Sequence, residues 1–247
     1  MARISAKRID AQPSYILHQY AYSETSLVVE VFSRDYGRVA MLARGARRPR
    51  SVLRGSLMAF QPLELDWFGG GEVKTLAKAE WLGGMPLLTG RSLLLAYYLN
   101  ELLLKMLPRE DAHASLFAAY VAALHALAQS AGTEVELRRF ELALLKELGY
   151  GLSLEREAES GAALQPELEY VYRIERGPIL KVGAGETDGA SAAASVVGKT
   201  LLDMAADDFS DARTRRESRQ LMRESIAHHL GDRSLQSRRI FLELQEL

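Results

Sequence analysis

The spacing of apolar residues changes from a strand pattern to a helix pattern between residues 82 and 90 of this chain. Residues 13–82 contain short segments rich in β-branched, aromatic or alternating apolar residues, which is the pattern of strands. From residue 90 onward the apolar residues recur at three- and four-residue intervals, the pattern of amphipathic helices. Because the strands precede the helices and do not alternate with them, the sequence predicts an α+β protein.

Five strands are predicted in the first part, each separated by turn-forming residues. The turn Arg34-Asp35-Tyr36-Gly37 divides the second strand from the third, and Gly69-Gly70-Gly71 divides the fourth from the fifth. Pro62 inside the fourth segment indicates a bulge or an edge. Five short strands in about 70 residues match a closed barrel of the OB-fold type, with an SH3-like barrel as the alternative. The predicted strands are 14–22, 27–33, 38–43, 58–68 and 73–82.

The rest of the chain predicts a helical bundle with an irregular insertion. Residues 150–197 lose the helical spacing; they contain a hairpin-like pair and then a Gly/Ala/Ser-rich stretch, 183–195, that is typical of a loop. We therefore expect two domains, a barrel at 1–83 and a helical domain at 84–247 with the insertion at about 150–197. The predicted helices are 91–107, 111–130, 134–148, 198–206, 211–230 and 235–247, and the hairpin strands are 169–175 and 178–182.

The chain contains no cysteine, which excludes disulfides, iron–sulfur clusters and thiolate zinc sites. Its five histidines lack the spacing of metal ligands. The N-terminus has no apolar run of the kind a signal peptide needs, and the most apolar stretch, 93–107, is too short and too interrupted for a membrane span. These features favour a cytoplasmic protein that binds no membrane, no metal and no cofactor.

No group of residues has the pattern of a catalytic or nucleotide-binding site. Gly198-Lys199-Thr200 is similar to the end of a phosphate-binding loop, but Ala193 stands where that motif requires its first glycine. A helix start is therefore the favoured interpretation. Asp207 and Asp208 lack a third acid in register and are interpreted as the cap of the following helix. The sequence predicts a binding protein and not an enzyme.

Arginine is concentrated between residues 34 and 54, where seven arginines accompany a single acid. A solvated charged surface is the ordinary explanation of such a cluster. DNA binding is favoured here because arginine binds phosphate through two hydrogen bonds at once, and because OB-fold grooves commonly take single strands. Neighbouring aromatic residues could stack on bases; they are Tyr20, Tyr22, Phe32, Tyr36 and Phe60. The candidate DNA-binding residues are Arg34, Arg38, Arg44, Arg47, Arg48, Arg50, Arg54 and Lys74.

Short motifs spread along nearly the whole chain resemble the bacterial RecO recombination-mediator family. Those in the barrel are Tyr22-Ser23-Glu24-Thr25-Ser26-Leu27, Gly37-Arg38-Val39, Gly45-Ala46-Arg47 and Gly71-Glu72-Val73-Lys74-Thr75-Leu76. Those in the helical part are Tyr98-Leu99-Asn100-Glu101-Leu102, Leu137-Arg138-Arg139-Phe140-Glu141, Leu148-Gly149-Tyr150-Gly151 and Leu235-Gln236-Ser237-Arg238. Each motif is modest, but together and in this order they are specific.

The resemblance implies an OB-fold followed by a helical domain, and a role in recombinational DNA repair. Family members bind single- and double-stranded DNA, anneal complementary strands and, with RecR, help RecA displace single-stranded DNA-binding protein. We accordingly expect a monomer associated with the nucleoid. The C-terminal tail of single-stranded DNA-binding protein ends in an acidic run, an apolar pair and a free carboxylate. Leu137, Arg138 and Arg139 on the predicted helix 134–148 are the candidate site for that tail.

The chain departs from the family pattern in one respect. Many members carry a four-cysteine zinc site directly after the motif that corresponds to residues 148–151. Glu157 and Ser160 stand at the corresponding places here, so we predict that zinc is absent. Two other classes of function remain open: an interaction adaptor that does not touch DNA, and a DNA-cleaving enzyme, which would need clustered acids that the sequence does not show.

Overall fold

The structure is a computed structural model, and it describes residues 8–129, 133–181, 193–237 and 239–240. Its contacts divide the chain into two compact units. The first unit consists of residues 1–131 together with 235–247, and the second consists of residues 132–234. The barrel and the two helices that follow it in sequence therefore belong to one compact unit.

The first unit begins with a closed five-stranded barrel. β1 pairs with both β2 and β4, which closes the barrel, and β3 pairs with β5 in parallel. This is the strand order of an OB-fold, so the predicted α+β class and barrel are confirmed. The strands are β1 (Arg8–Ala21), β2 (Leu27–Ser33), β3 (Gly37–Ala43), β4 (Leu63–Phe68) and β5 (Val73–Trp81).

The segment between β3 and β4 differs from its prediction. β4 begins at Leu63, directly after Pro62, because proline has no N–H to donate to a neighbouring strand. Residues 58–62 of the predicted fourth strand belong to no strand, apart from an isolated bridge between Ala59 and Ile16, and the short helix α1 (Val52–Ser56) precedes them. The apolar residues there had suggested a longer strand, and their spacing alone could not show where strand pairing stops.

Alternation along the strands builds the barrel core. β2 and β3 pair from Leu27 opposite Ala43 to Ser33 opposite Gly37 without a shift of register, so every second side chain faces inward. Gly37 at the hairpin has φ +64°, and a side chain there would collide with the backbone of Asp111. The buried core residues include Val29, Val31, Val39, Met41, Leu63, Leu65, Trp67 and Leu76.

Two helices cover the outer face of β1 and β2. They are α2 (Gly90–Met106) and α3 (Ala114–Gln129), close to their predicted bounds. Phe32 of β2 packs against Phe117 and Tyr120 of α3 with ring centroids 5.3 and 5.9 Å apart. Tyr15 of β1 contacts the same two rings. This side of the barrel is therefore buried on both of its faces.

The C-terminal segment returns to the first unit through Glu101 of α2. The Glu101 carboxylate accepts hydrogen bonds from the backbone N–H groups of Gln236 and Ser237, at 2.8 and 2.9 Å, and from the Ser237 hydroxyl at 2.6 Å. Lys105 forms an ion pair with the same carboxylate at 2.9 Å. Most of the predicted helix 235–247 lies outside the described residues.

The second unit combines three helices with a small sheet. The helices are α4 (Thr133–Glu147), α5 (Gly198–Ala205) and α6 (Ala212–Leu230). The sheet contains β6 (Glu169–Arg173), β7 (Gly177–Leu180) and β8 (Ala193–Val197) in the order β7-β6-β8. The hairpin of β6 and β7 and the helix start at Gly198 are as predicted.

Strand β8 was missed, since Ala193–Ser195 had been assigned to a loop. Alanine and serine have little intrinsic preference for strands, and it is the pairing of β8 with β6, from Glu169 opposite Val197 onward, that makes this segment extended. The remainder of the predicted loop, 183–192, lies outside the described residues.

The irregular insertion is held to the sheet by two buried tyrosines of β6. The hydroxyl of Tyr172 accepts a hydrogen bond from the backbone N–H of Ser153 at 3.0 Å, and that of Tyr170 accepts one from Gln165 at 2.9 Å. Burial raises the pKa of Tyr172 to about 12, against the opposing effect of the Ser153 bond. Backbone bonds at 155–164 complete a compact turn, among them Glu157 N–H to Ala162 O at 2.9 Å.

Helix α6 is capped by Asp211, not by the aspartates that the sequence suggested. The Asp211 carboxylate accepts from the backbone N–H groups of Arg213 and Thr214 at 2.7 and 3.0 Å. The prediction that Asp207 and Asp208 form this cap is wrong, because both stand too early in the chain to reach the first free N–H groups of the helix. No helix among the residues that the structure describes is long and apolar enough to cross a bilayer.

Candidate nucleic-acid interface

The arginine-rich segment emerges at one end of the barrel. Leu27 pairs with both Ala21 and Ala43, so the loop between β1 and β2 and the loop after β3 leave the barrel side by side. Arg47 joins the two loops: its backbone N–H donates to Thr25 O at 3.0 Å and its guanidinium donates to Ser23 O at 2.6 Å. We call residues 44–54 the arginine loop.

Small and apolar residues anchor the arginine loop to the barrel. Ala46 within the loop and Leu57 just after it are buried in the barrel core. Gly45 has φ +70°, a left-handed conformation that favours glycine, and the Arg48 side chain lies against it. The backbone between these anchors is therefore fixed, and the longer side chains are directed outward.

Four arginines of the loop are exposed and carry charge that the protein does not neutralise. None of the four makes a side-chain hydrogen bond or ion pair with any residue in the described part of the chain. The other four basic side chains of the predicted set, Arg47 among them, have protein partners instead. The four exposed residues are Arg44, Arg48, Arg50 and Arg54.

The three remaining predicted DNA-binding residues have different surroundings. Arg34 stays exposed but forms two hydrogen bonds with Asp35 at 2.9 Å, which raise the pKa of Arg34 and lower that of Asp35. Arg38 points at α2 and donates to Leu104 O at 2.7 Å, and burial lowers its pKa. Lys74 is largely buried and binds Glu110 at 2.7 Å. Arg38 and Lys74 therefore contribute to packing within the first unit.

Two aromatic side chains accompany the arginine loop at the surface. Tyr20 is 49% exposed and Tyr22 is 67% exposed, at the end of β1 that adjoins the loop. The other three predicted aromatics are not available for stacking: Phe32 and Phe60 are buried, and Tyr36 packs on Trp67. Sequence analysis missed His18, which is exposed and contacts the Tyr20 ring at 4.4 Å; the two-residue period of β1 places both on one face.

The candidate tail-binding residues lie on α4. Leu137 is buried with Phe140 and Leu144 in the interior of the second unit. Both arginines beside Leu137 have carboxylate partners: Arg138 binds Glu141 at 2.7 Å, and Arg139 binds Glu136 and, at 2.8 Å, Asp207. An acidic ligand at this surface would have to replace one of these internal carboxylates.

The place of the family's zinc site is occupied by a hydrogen-bonded turn. One carboxylate oxygen of Glu157 accepts from the backbone N–H and the hydroxyl of Ser160 and from the N–H of Glu159, and these bonds lower the pKa of Glu157. Within the described ranges, no three histidine or acidic side chains come together as a metal site would require. These residues do not fit zinc.

Comparison with known proteins identifies the family of both parts of the chain. Residues 10–85 match the model of the recombination protein O N-terminal domain, and residues 88–239 match that of its C-terminal domain. The chain is 56% identical to the DNA repair protein RecO of Dechloromonas aromatica over 97% of this chain and 98% of that one. It is 57% identical to that of Aromatoleum aromaticum, over 98% of both chains, and 47% identical to that of Nitrosospira multiformis, over 99% of both. The chain therefore belongs to the RecO family of DNA repair proteins.

Proposed function

We propose that this protein binds single- and double-stranded DNA without sequence preference, through the arginine loop of its OB-fold. The observation that carries the proposal is the set of four exposed arginines, which have no side-chain partner among the described residues, beside two exposed tyrosines. Arginine forms paired, charge-assisted hydrogen bonds with phosphate. Because the phosphate backbone is the same for every sequence, contacts of this kind add affinity without selecting bases.

Tyr20 and Tyr22 supply a second, uncharged contribution. Base stacking on an aromatic ring is worth roughly 1–3 kcal/mol per base and tolerates any sequence, because every base has a flat face. Both rings are exposed and both adjoin the arginine loop. A single strand can place its phosphates on the arginines and its bases on the tyrosines. A duplex keeps its bases stacked, so it would use the arginines alone.

The wider role that we propose is that of a recombination mediator without enzymatic activity. In it, the protein anneals complementary strands and, together with RecR, helps RecA to load onto DNA coated with single-stranded DNA-binding protein. The names of the relatives as DNA repair proteins support this setting. A cytoplasmic, nucleoid-associated monomer fits such a role.

The surface around Leu137, Arg138 and Arg139 is proposed to bind the acidic C-terminal tail of single-stranded DNA-binding protein. Arg139 is the accessible cation of this surface, and its carboxylate partners can return to water when a peptide carboxylate replaces them. The apolar pair of the tail would need to pack near Leu137, which is mostly buried. Displacement of side-chain carboxylates by the peptide is therefore part of this binding mode.

The test is equilibrium binding of fluorescent single-stranded oligonucleotides of two unrelated sequences, at about 50 and 200 mM salt. Four phosphate contacts on a single strand predict a loss of affinity of at least about 50-fold between these salt concentrations, equal for both sequences. Annealing of complementary strands is followed in parallel. If no binding is seen at the lower salt concentration, the protein is better described as an interaction adaptor that does not touch DNA. Mg²⁺-dependent cleavage of the oligonucleotide would show that it is an enzyme.

A further inference from the structure

One face of α6 carries three exposed arginines that have no carboxylate partner in the part of the chain that the structure describes. Arg216, Arg219 and Arg223 are three and four residues apart, so they follow one another along the same side of the helix. None of them makes a side-chain hydrogen bond or ion pair with another described residue. We call these three residues the α6 arginine row.

Other arginines of the same helix are used by the fold. Arg213 binds Glu217, which in turn accepts from the Thr200 hydroxyl at 2.7 Å. Arg215 donates to the backbone carbonyls of Phe209 and Ser210 at 2.8 and 2.6 Å. The arginines of α6 therefore differ in their partners: Arg213 and Arg215 bind neighbouring groups, whereas the α6 arginine row has no side-chain partner among the described residues.

The side chains around the row identify the kind of partner that fits it. Ala212, Gln220 and Ala227 lie between or beside the arginines and are also exposed, so this face has no large apolar side chain. Stable protein interfaces depend on buried apolar or aromatic anchors, which this face does not offer. A row of three guanidinium groups spanning about 10 Å of helix instead complements a chain of phosphates.

We propose that the α6 arginine row is a second surface for the phosphate backbone of DNA. It lies on a different compact unit from the arginine loop and shares no residue with it. This inference rests on the proposed function and extends it by assigning a further site. Two such surfaces allow one molecule to hold two strands, which annealing requires. Bound phosphates would also relieve the repulsion between like charges at this spacing.

The experiment measures the salt dependence of single-strand binding for a triple variant, Arg216→Gln with Arg219→Gln and Arg223→Gln. Loss of three contacts should reduce the slope of log affinity against log salt by about 2. In a variant that also carries Arg44→Gln, Arg48→Gln and Arg50→Gln, the slope should decrease by about 4. The control is Lys78→Gln with Arg176→Gln and Lys181→Gln, which removes three positive charges from exposed positions outside both surfaces.

The melting temperature separates a surface role from a structural one. Because glutamine favours helix and removes like-charge repulsion, the α6 variant should melt no lower than the wild type. If the triple variant does melt lower, the single substitutions provide the test, each with an expected slope change of about 0.7. A wild type without salt-dependent binding would overturn the proposed function itself. If the arginine-loop substitutions reduce the slope while the α6 substitutions act like the control, this inference alone is overturned, and an acidic protein becomes the partner of the row.

Discussion

The side-chain amide of Asn100 in α2 donates a hydrogen bond to the backbone carbonyl of Leu17 in β1, 2.9 Å away in the interior of the first unit. The register of β1 against β2 shifts between Ile16 and His18, which leaves Leu17 outside the regular pairing of the two strands. Asn100 also donates to Ile16 O at 3.3 Å and accepts from the Tyr120 hydroxyl at 2.6 Å. One asparagine thus donates hydrogen bonds to the backbone carbonyls at the bulge and links β1, α2 and α3.

Substitution of Asn100 by alanine should lower the free energy of unfolding by about 2–4 kcal/mol, because it leaves buried carbonyl and hydroxyl groups without partners. Urea unfolding followed by circular dichroism measures the change. Gln129→Ala, which removes an exposed amide at the end of α3, is the matched control and should change stability by less than about 0.5 kcal/mol. Equal stabilities of the Asn100 variant and the control would contradict the assigned role.

The strands β2 and β3 could be predicted from the sequence, whereas the role of Asn100 could not. A run of β-branched and aromatic residues is a local pattern, visible within seven residues of β2. The bonds of Asn100 to β1 join residues more than 80 positions apart, and they depend on a bulge that no local signal marks. Sequence analysis could describe Asn100 only as a polar interruption of an apolar helix.

The same limit applies to the candidate DNA-binding residues. The sequence identified the arginine cluster but could not separate Arg38 from Arg44. Arg38 lies in β3 and faces a helix that comes about 60 residues later in the chain, where it finds the carbonyl of Leu104. Arg44 follows the last residue of the strand and faces solvent. Which face of a strand will be covered is decided by tertiary packing, and the charge pattern carries no information about it.

Replacement of Arg44, Arg48 and Arg50 by glutamine should weaken binding to all single-stranded sequences alike. The expected decrease in the salt slope is about 2, since each lost contact removes about 0.7 on a single strand. Arg38→Gln is an informative comparison, because the Arg38 guanidinium donates a hydrogen bond to Leu104 O. Loss of this guanidinium should lower the stability of the protein more than its affinity for DNA. An unchanged slope in the folded triple variant would identify the arginine loop as a solvated surface.

Purified protein should contain no stoichiometric zinc, and a chelator should leave its melting temperature unchanged. The chain has no thiolate to bind the metal, and Glu157 is already engaged by Ser160. By contrast, Glu157→Ala should lower the melting temperature, because it removes the hydrogen bonds that close the turn at 157–160. Metal analysis and thermal unfolding with and without chelator measure both effects. One equivalent of zinc would show that this account of the insertion is wrong.

Glu101 should contribute stability at neutral pH that is lost in acid. Burial opposes its ionisation, but the hydrogen bonds from Ser237 and Gln236 and the contact with Lys105 outweigh that effect and lower its pKa. A carboxyl group with a lowered pKa in the folded state stabilises the protein above its unfolded pKa, about 4.3, and loses that contribution as pH falls through the folded value.

The measurement compares Glu101→Gln with the wild type by urea unfolding at pH 7 and about pH 3. The difference in unfolding free energy should be larger at pH 7 and shrink at the lower pH. Glu72→Gln, at an exposed glutamate without a partner among the described residues, should show little difference at either pH. If the difference in unfolding free energy between the wild type and Glu101→Gln does not change with pH, ionisation of Glu101 does not stabilise the C-terminal segment.

The proposed tail site on α4 can be tested by substitution of Arg139, whereas Arg138 is unsuitable for the test. Arg138 is only 13% exposed and pairs with Glu141, whose side chain is 1% exposed. Arg138→Ala would take a cation away from that buried carboxylate and lower stability, so a loss of peptide binding would be ambiguous. Arg139 is 42% exposed, and its partners Glu136 and Asp207 can be hydrated when it is removed.

Arg139→Ala should lower the affinity for a peptide of the acidic tail about tenfold or more while leaving binding to naked DNA intact. A charge-assisted hydrogen bond to a carboxylate, partly shielded from water, is worth roughly 1.5–3 kcal/mol, which corresponds to that range. Asp207→Asn gives a change of the opposite sign: it removes the charge that competes with the peptide for Arg139, so the tail should bind more tightly. Titration of a labelled tail peptide against the three proteins measures both effects. Equal affinities of all three would exclude the site, and a parallel loss of DNA binding in Arg139→Ala would assign Arg139 to a DNA surface instead.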